Sequence, residues 1–434
     1  MKKALKYSLF ALGALIVLVG ATALYLHLSG VLRYKTETID LHVAVTPERV
    51  ARGKLISSML CTNCHQNPTT QLLTGWRMVD LPAKFGVVYS HNITKHPTKG
   101  IGTWTDGELA FFLRTGIKRD GRLVPIATPR FPLLADEDLF SIIAFLRSDD
   151  PLVQAADVDD KDSQYSFLVK ILARTARRPF AYPSGKIEPP DAHDQVTYGK
   201  YLVNGMLHCF ACHSADFSKV NVRYPEASAG YLGGGNRMLD LHGRPISVPN
   251  ITFDPETGIG RWTEAQFVRA VKDGFRPDNT PILYPMTRLP ELADEEIKAI
   301  YAYLKTVPVI KNPRGQSVKY ELARGEGSAG QQIYYKYSCY SCHGEDGVGN
   351  CDLRQAHRKY PTNDILTLWI RDPSRFVPNS KMPTWEGVIE EAEYEPLAEY
   401  VRLLGERALR PGSAGVSPAS EMRPGWSRSQ GTDG

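Results

Sequence analysis

Near its start the chain has an apolar run from about Leu9 to Leu28, preceded by Lys2, Lys3 and Lys6. About 20 apolar residues let a helix cross a bilayer, and lysines before it favour a cytoplasmic N-terminus. The pattern predicts a membrane anchor over residues 1–30, with everything after it outside the cytoplasm. Ala21-Thr22-Ala23 would serve as the cleavage site of a signal peptide, the alternative. The apolar run continues past that site through Leu24, Tyr25, Leu26 and Leu28, which favours an uncleaved anchor. Beyond the anchor the pattern becomes amphipathic with a helical period. Residues 136–146 and 294–304 and the stretch "EYEPLAEYVRLL" each predict a closing helix. Thr46-Pro47-Glu48 predicts a helix start, with a capping threonine and proline at the first helical position. "YGKYLVNGMLHC" predicts a second entering helix, and "YSFLVKILARTARRPF" a helix docked on the fold, with a position on the membrane surface as its alternative.

The same pattern occurs twice. Residues 92–146 align without a gap on residues 250–304, so that Asn92 meets Asn250, Trp104 meets Trp262, Gly116 meets Gly274 and Asp136 meets Asp294. Each copy follows a short cysteine motif: "CTNCH" at Cys61–His65 and "CFACH" at Cys209–His213. The repeats are offset by 158 residues and the motifs by 148, so the second copy carries ten extra residues between its motif and Asn250. A glycine-rich loop, "GYLGGGN", lies in that interval. A third motif, "CYSCH" at Cys339–His343, stands alone.

Six of the seven cysteines sit in these motifs. A Cys-x-x-Cys pair can be half of a zinc site, a redox dithiol, an iron–sulfur ligand set or the anchor of a c-type haem. Only the haem needs a histidine directly after the second cysteine. The thiols pin the porphyrin through its vinyl groups, and the histidine supplies the proximal imidazole. The expectation is three covalently bound haem c groups, held by Cys61, Cys64, Cys209, Cys212, Cys339 and Cys342, with His65, His213 and His343 on the irons. Cys351 is left over and reads as a buried free thiol.

A methionine as sixth ligand suits an iron to electron transfer, whereas an open position admits small molecules. Met286 in "LYPMTR" and Met382 in "NSKMPTW" both precede a closing helix and are the expected ligands of the second and third irons. The first repeat departs from this pattern, because the alignment sets Thr128 opposite Met286. Three options follow for the first iron. It takes Met59, Met78, His91 or His96, it stays five-coordinate or binds water, or it holds an external group.

Composition adds limits. At 42% hydrophobic and 23% charged residues the chain is ordinary for a globular protein of several domains. A net charge of +5 over 434 residues, with no basic run interleaved with aromatics, excludes nucleic acid as a partner.

The paired "NIT", "GIG" and "WT" elements, with "YPM" in the second repeat and a third haem motif after them, resemble the triheme cytochrome c subunits of bacterial membrane-bound alcohol, gluconate and aldehyde dehydrogenases. The resemblance implies an all-α fold of three tandem cytochrome c-like domains after a transmembrane helix. Its expected limits are an anchor at 1–30, domains at 46–150, 191–308 and 326–406, a linker at 151–190 and a disordered tail at 407–434. It implies an electron carrier in the cytoplasmic membrane with periplasmic haem domains, a partner dehydrogenase subunit as donor, and quinone or a terminal oxidase chain as acceptor. No residues read as a substrate-converting site; Trp104, Trp262 and the "NIT" segments read as pocket scaffold. The alternative is a peroxidase-like haem enzyme or sensor with an open first iron, for which His91 would be the proton donor.

Overall fold

The structure, a computed structural model, describes residues 2–408 except 68–69, 79–80, 127–129, 176–177, 242, 287, 314–326, 350–351, 354 and 379. Met1–Lys319 with Pro373–Thr384 form one body, and Tyr320–Asp372 with Trp385–Gly434 form a second.

Helix α1 (Lys2–Leu28) is the apolar run. Its stretch Leu5–Leu26 has 22 residues at a mean hydropathy of 2.4, none of it buried, which suits a bilayer span or a signal sequence. The chain leaving α1 is tied to the first repeat. Tyr34 N donates to Gly121 O at 2.8 Å, and Arg33 pairs with Arg122 in an isolated bridge.

Helix α2 (Pro47–Leu60) begins where the capping residues predict, with Thr46 Oγ1 accepting from Arg49 N at 3.3 Å. It leads into the first cysteine motif. Helix α3 (Asp106–Thr115) starts in a capping box, Thr105 Oγ1 accepting from Glu108 N while the Glu108 carboxylate accepts from Thr105 N. Helix α4 (Asp136–Arg147) closes the repeat and crosses α2. A Cβ at Gly53 would lie 1.8 Å from Ser141 O, so only glycine lets the two backbones approach this closely. Helix α5 (Phe167–Thr175) docks, as its amphipathic pattern predicts. Val169 and Ala173 are fully buried, and Arg174 Nη2 donates to Ser29 Oγ at 2.6 Å and Gly30 O at 2.9 Å beside the end of α1.

Helices α6 (Gln195–Tyr201), α7 (Glu264–Lys272) and α8 (Asp294–Leu304) rebuild the arrangement in the second repeat. Thr263 and Gln266 repeat the capping box, and Gly199 meets Ala299 O, with its Cβ position 1.9 Å away. Ala299 is the residue aligned with Ser141. "YGKYLVNGMLHC" is not one uniform helix, because α6 passes into a π turn at Leu202–Met206. The extra residues of this repeat lie before Gly234. Gly234 N donates to His213 O at 2.7 Å as Gly75 N does to His65 O at 2.8 Å, but 21 positions separate the second pair and ten the first.

The architecture is helix-rich rather than purely helical. Strand β1 (Gly86–Val87) pairs antiparallel with β2 (Gln164–Tyr165), and β3 (Arg237–Leu239) with β4 (Pro245–Ser247). The two repeats share one core. Ile56, Ile142 and Phe145 from the first join Leu202, Val203, Met206 and Ile297 from the second, all 0–1% exposed. Each such side chain contributes roughly 1.5–3 kcal/mol on burial. Arg52 reinforces the junction, pairing with Asp138 of its own repeat and Glu296 of the next, both at 2.9 Å.

The second body carries α9 (Ala329–Lys336), α10 (Asn363–Arg371) and α11 (Tyr394–Ala408). Here Gly330 of the entering helix stands where a Cβ would lie 2.0 Å from Pro396 O of the closing helix. The same crossing is therefore built three times, although the third copy shares no extended sequence pattern with the first two.

Candidate haem-binding sites

Each cysteine motif forms a one-turn helix at the end of an entering helix. His65 N donates to Cys61 O at 2.8 Å and His343 N to Cys339 O at 3.0 Å, a turn that sets both thiols and the imidazole on a single short arc. Burial pushes the Cys61 and Cys212 thiols up to about 11, and those of Cys209 and Cys339 up to about 12. None of the six is in a disulfide among the described residues, so no cross-link competes for the thiols.

The motif histidines of the first two repeats are oriented by carbonyls. His65 Nδ1 lies 2.7 Å from His91 O, and His213 Nδ1 lies 2.9 Å from Pro249 O. His91 and Pro249 are aligned residues of the two repeats. A carbonyl at Nδ1 places the proton there and leaves Nε2 with its lone pair for a metal. Burial depresses the pKa of both imidazoles, that of His65 to about 4, which keeps them in the neutral form.

The "NIT" segments build this carbonyl. Asn92 Oδ1 accepts from Thr94 N and Oγ1 at 3.0 and 2.7 Å, and Asn250 Oδ1 accepts from Thr252 N and Oγ1 at 2.9 and 2.8 Å. The Asn250 amide also donates to Ile310 O at 2.6 Å, tying the turn to the chain beyond α8.

His91 therefore stands beside His65 of the first motif. Its Nδ1 is 2.8 Å from Asp160 Oδ1 and its Nε2 is 3.0 Å from Lys118 Nζ, so both ring nitrogens are engaged. His96 Nδ1 accepts from Lys99 N at 3.0 Å and caps its own turn. Met59 is 7% exposed within the shared core. Met78 is partly buried on the loop after the first motif, its N–H donating to Val88 O at 2.9 Å. Thr128 and Cys351 lie outside the described residues.

Met286 is 40% exposed on the loop before α8, which is pinned by Leu289 N donating to Val271 O at 2.7 Å. The first repeat fixes its corresponding loop in the same way, Phe131 N donating to Leu113 O at 2.8 Å. Met382 lies on Pro373–Thr384, the segment that joins the first body rather than the second. Arg288 Nε donates to Ser380 O at 2.8 Å, and Lys381 pairs with Glu291 at 2.7 Å. The segments bearing the two methionines are thus side by side, a juxtaposition their separation of 96 residues in the chain does not announce.

Several buried polar atoms lack a hydrogen-bond partner among the described residues: Trp76 Nε1, His208 Nε2 and Ser214 Oγ in the first body, and Trp369 Nε1 and His357 Nδ1 in the second. Unmade hydrogen bonds of this kind are rare in complete structures and call for a missing group. With paired thiols at each motif, and an oriented neutral imidazole at the first two, these sites fit a covalently held haem. Sequence reasoning overlooked His208. Its signal is a difference in spacing, since eight positions separate Gly53 from Cys61 but ten separate Gly199 from Cys209.

The family described as "Cytochrome c" matches residues 196–308, and "Cytochrome C oxidase, cbb3-type, subunit III" matches residues 325–401. Residues 196–308 and 325–401 are thus similar to cytochrome c domains. This cytochrome is 26% identical to the alcohol dehydrogenase (quinone) cytochrome c subunit of Gluconobacter oxydans (strain 621H), over 86% of the chain and 82% of the relative. It is 28% identical to the fructose dehydrogenase cytochrome subunit of Gluconobacter japonicus, over 70% of the chain and 65% of the relative. It is also 28% identical to the gluconate 2-dehydrogenase cytochrome c subunit of Pantoea cypripedii, covering 66% and 67%. Electron transfer is the function these likenesses share with the motifs.

Proposed function

We propose that this cytochrome is a membrane-anchored three-haem relay on the periplasmic face, taking single electrons from a dehydrogenase subunit and passing them to quinone or an oxidase chain. The observation that carries this reading is the thrice-built unit in which an entering helix, crossed at glycine by a closing helix, delivers Cys-x-x-Cys-His. Bound haem supplies the one-electron iron couple, and the protein sets its potential through ligands, hydrogen bonds and burial. Cys61, Cys64, Cys209, Cys212, Cys339 and Cys342 would hold the three groups. His65, His213 and His343 would be the proximal ligands, and Met286 and Met382 the distal ones. The carbonyls of His91 and Pro249 orient the first two imidazoles.

The likeness to cytochrome subunits of alcohol, fructose and gluconate dehydrogenases supports a dehydrogenase as donor. The strap from α1 to Gly121 and the seating of Arg174 at Ser29 support an anchor held close to the first repeat. The peroxidase-like alternative loses its proton donor, because His91 stands beside the proximal ligand.

The deciding experiment counts haem by pyridine haemochrome and records a carbon monoxide difference spectrum of the dithionite-reduced protein. Three haems per chain are expected, and fewer would sink the reading. Without a carbon monoxide shift all three irons are six-coordinate. A shift in about one third of the haem would mark the first iron as open, and Thr128→Met should then abolish it.

A further inference from the structure

The entering helices of the first two repeats differ where they meet their motifs. The second holds two more residues between its crossing glycine and its first cysteine. They are absorbed by the π turn at Leu202–Met206 and by His208, which has φ 54° and ψ 37°. A non-glycine residue in this left-handed region is strained, and π turns gather at functional sites. Both distortions serve one side chain. His208 is 9% exposed, with its ring 5.0 Å from Phe131 of the first repeat and 5.5 Å from Phe210. Its buried Nε2 has no partner among the described residues. Leaving such an atom unpaired is a further cost. Burial holds the imidazole in its neutral form, so Nε2 is able to carry a proton.

The place of His208 narrows what it meets. Its neighbour Cys209 would carry the thioether bond to the second haem. Thioethers and propionates occupy opposite edges of a porphyrin, so the second haem's own propionates lie away from His208. Phe131 belongs to the first repeat and sits three residues after Thr128, on the loop that would close over the first haem. Gly205 in the π turn packs on this same segment, where a Cβ would lie 2.9 Å from Leu133 O.

We infer that His208 Nε2 donates a hydrogen bond to a propionate of the first haem, making His208 a positioning residue through which the second repeat sets that haem's potential. This rests on the three-haem reading. A donor at the carboxylate offsets its negative charge and so favours the ferrous iron.

The test uses the full-length holoprotein with His208→Phe, which fills the aromatic site without a donor, and His208→Gln, which restores an N–H. Spectroelectrochemical titration and electron paramagnetic resonance are read together. His208→Phe should lower the midpoint of one haem, cutting its ferrous-to-ferric ratio at fixed potential about threefold, or about 28 mV at 59 mV per tenfold. His208→Gln should recover most of this shift, with low-spin signals unchanged in both variants. Unaltered midpoints in His208→Phe would overturn the proposal, as would an equal shift in His208→Gln, which would mean packing alone. Replacement of one low-spin signal by a high-spin one would also overturn it, because His208 would then be an axial ligand. Haem counted on the unaltered chain reports the underlying reading separately; fewer than three would sink that reading and the proposal that rests on it.

Discussion

Gly53→Ala sets two known effects against each other. Alanine is the better helix former by about 1 kcal/mol, and Gly53 lies well inside α2, so in an isolated helix the change would stabilise. In the folded protein the new methyl would lie 1.8 Å from Ser141 O, 2.4 Å from Ser141 C and 2.9 Å from Phe145 Cβ. Overpacking costs about 1–3 kcal/mol. The upper end applies here, because the nearest obstructing atoms are main chain of α4 and cannot rotate aside. The helices must separate, and Ile56, Ile142 and Phe145 lose packing with them. The expected net loss is about 2 kcal/mol, a large share of the roughly 5–15 kcal/mol that holds a folded domain. The assay is urea unfolding of the holoprotein followed by far-ultraviolet circular dichroism. Gly185→Ala is the control, since its Cβ would meet nothing within 4 Å. If Gly53→Ala unfolds at the same urea concentration as Gly185→Ala or a higher one, α2 and α4 do not cross at this glycine and the reasoning fails. Gly199→Ala should behave like Gly53→Ala, with Ala299 O only 1.9 Å from its Cβ position.

Arg52→Met keeps the length of the side chain but strands Asp138 and Glu296 as partly buried carboxylates, at side-chain exposures of 10% and 12%. Breaking a buried ion pair from one side costs about 3–5 kcal/mol, and the partial exposure of Arg52 sets the expectation near 3 kcal/mol by the same urea assay; a loss under about 1 kcal/mol would show that the pairs are solvent-screened. In the second body, burial raises the Glu393 pKa, but the hydrogen bonds from Lys336 and Tyr337 outweigh it and the net shift is downward. Glu393 thus contributes stability that is present above its ordinary pKa of 4.5 and lost as pH falls through its lower folded value. Glu393→Gln should flatten the acid limb of stability in the second body, measured by thermal melts between pH 3 and 6 in steps of about half a unit; an unchanged acid limb would remove Glu393 from the account.

Much of this protein is legible in the chain. The haem motifs are covalent signatures that depend on spacing alone, and the closing helices follow from a periodicity readable over about a dozen residues. Thr46 and Pro47 mark the start of α2 for local reasons, and the constant offset of 158 residues makes the two repeats visible in the order of residues alone. What tertiary structure decides are pairings between distant residues. Sequence places His91 among candidate distal ligands, yet its carbonyl accepts from the His65 imidazole, because the fold brings the backbone at residue 91 to the ring of residue 65. Met382 reads as part of the third domain, while its segment joins the first body through Arg288 and Glu291. The crossing glycines are hidden because a glycine inside a helical pattern looks like a minor weakness until a backbone carbonyl is found about two ångströms from where its Cβ would be. His208 escapes notice because two inserted residues carry no meaning until the helix around them is seen to keep its crossing and distort instead. Local backbone preference and covalent chemistry act over a few residues and leave their mark on the sequence, whereas close packing and hydrogen-bond pairing depend on which distant surfaces meet, and that is settled only when the chain folds.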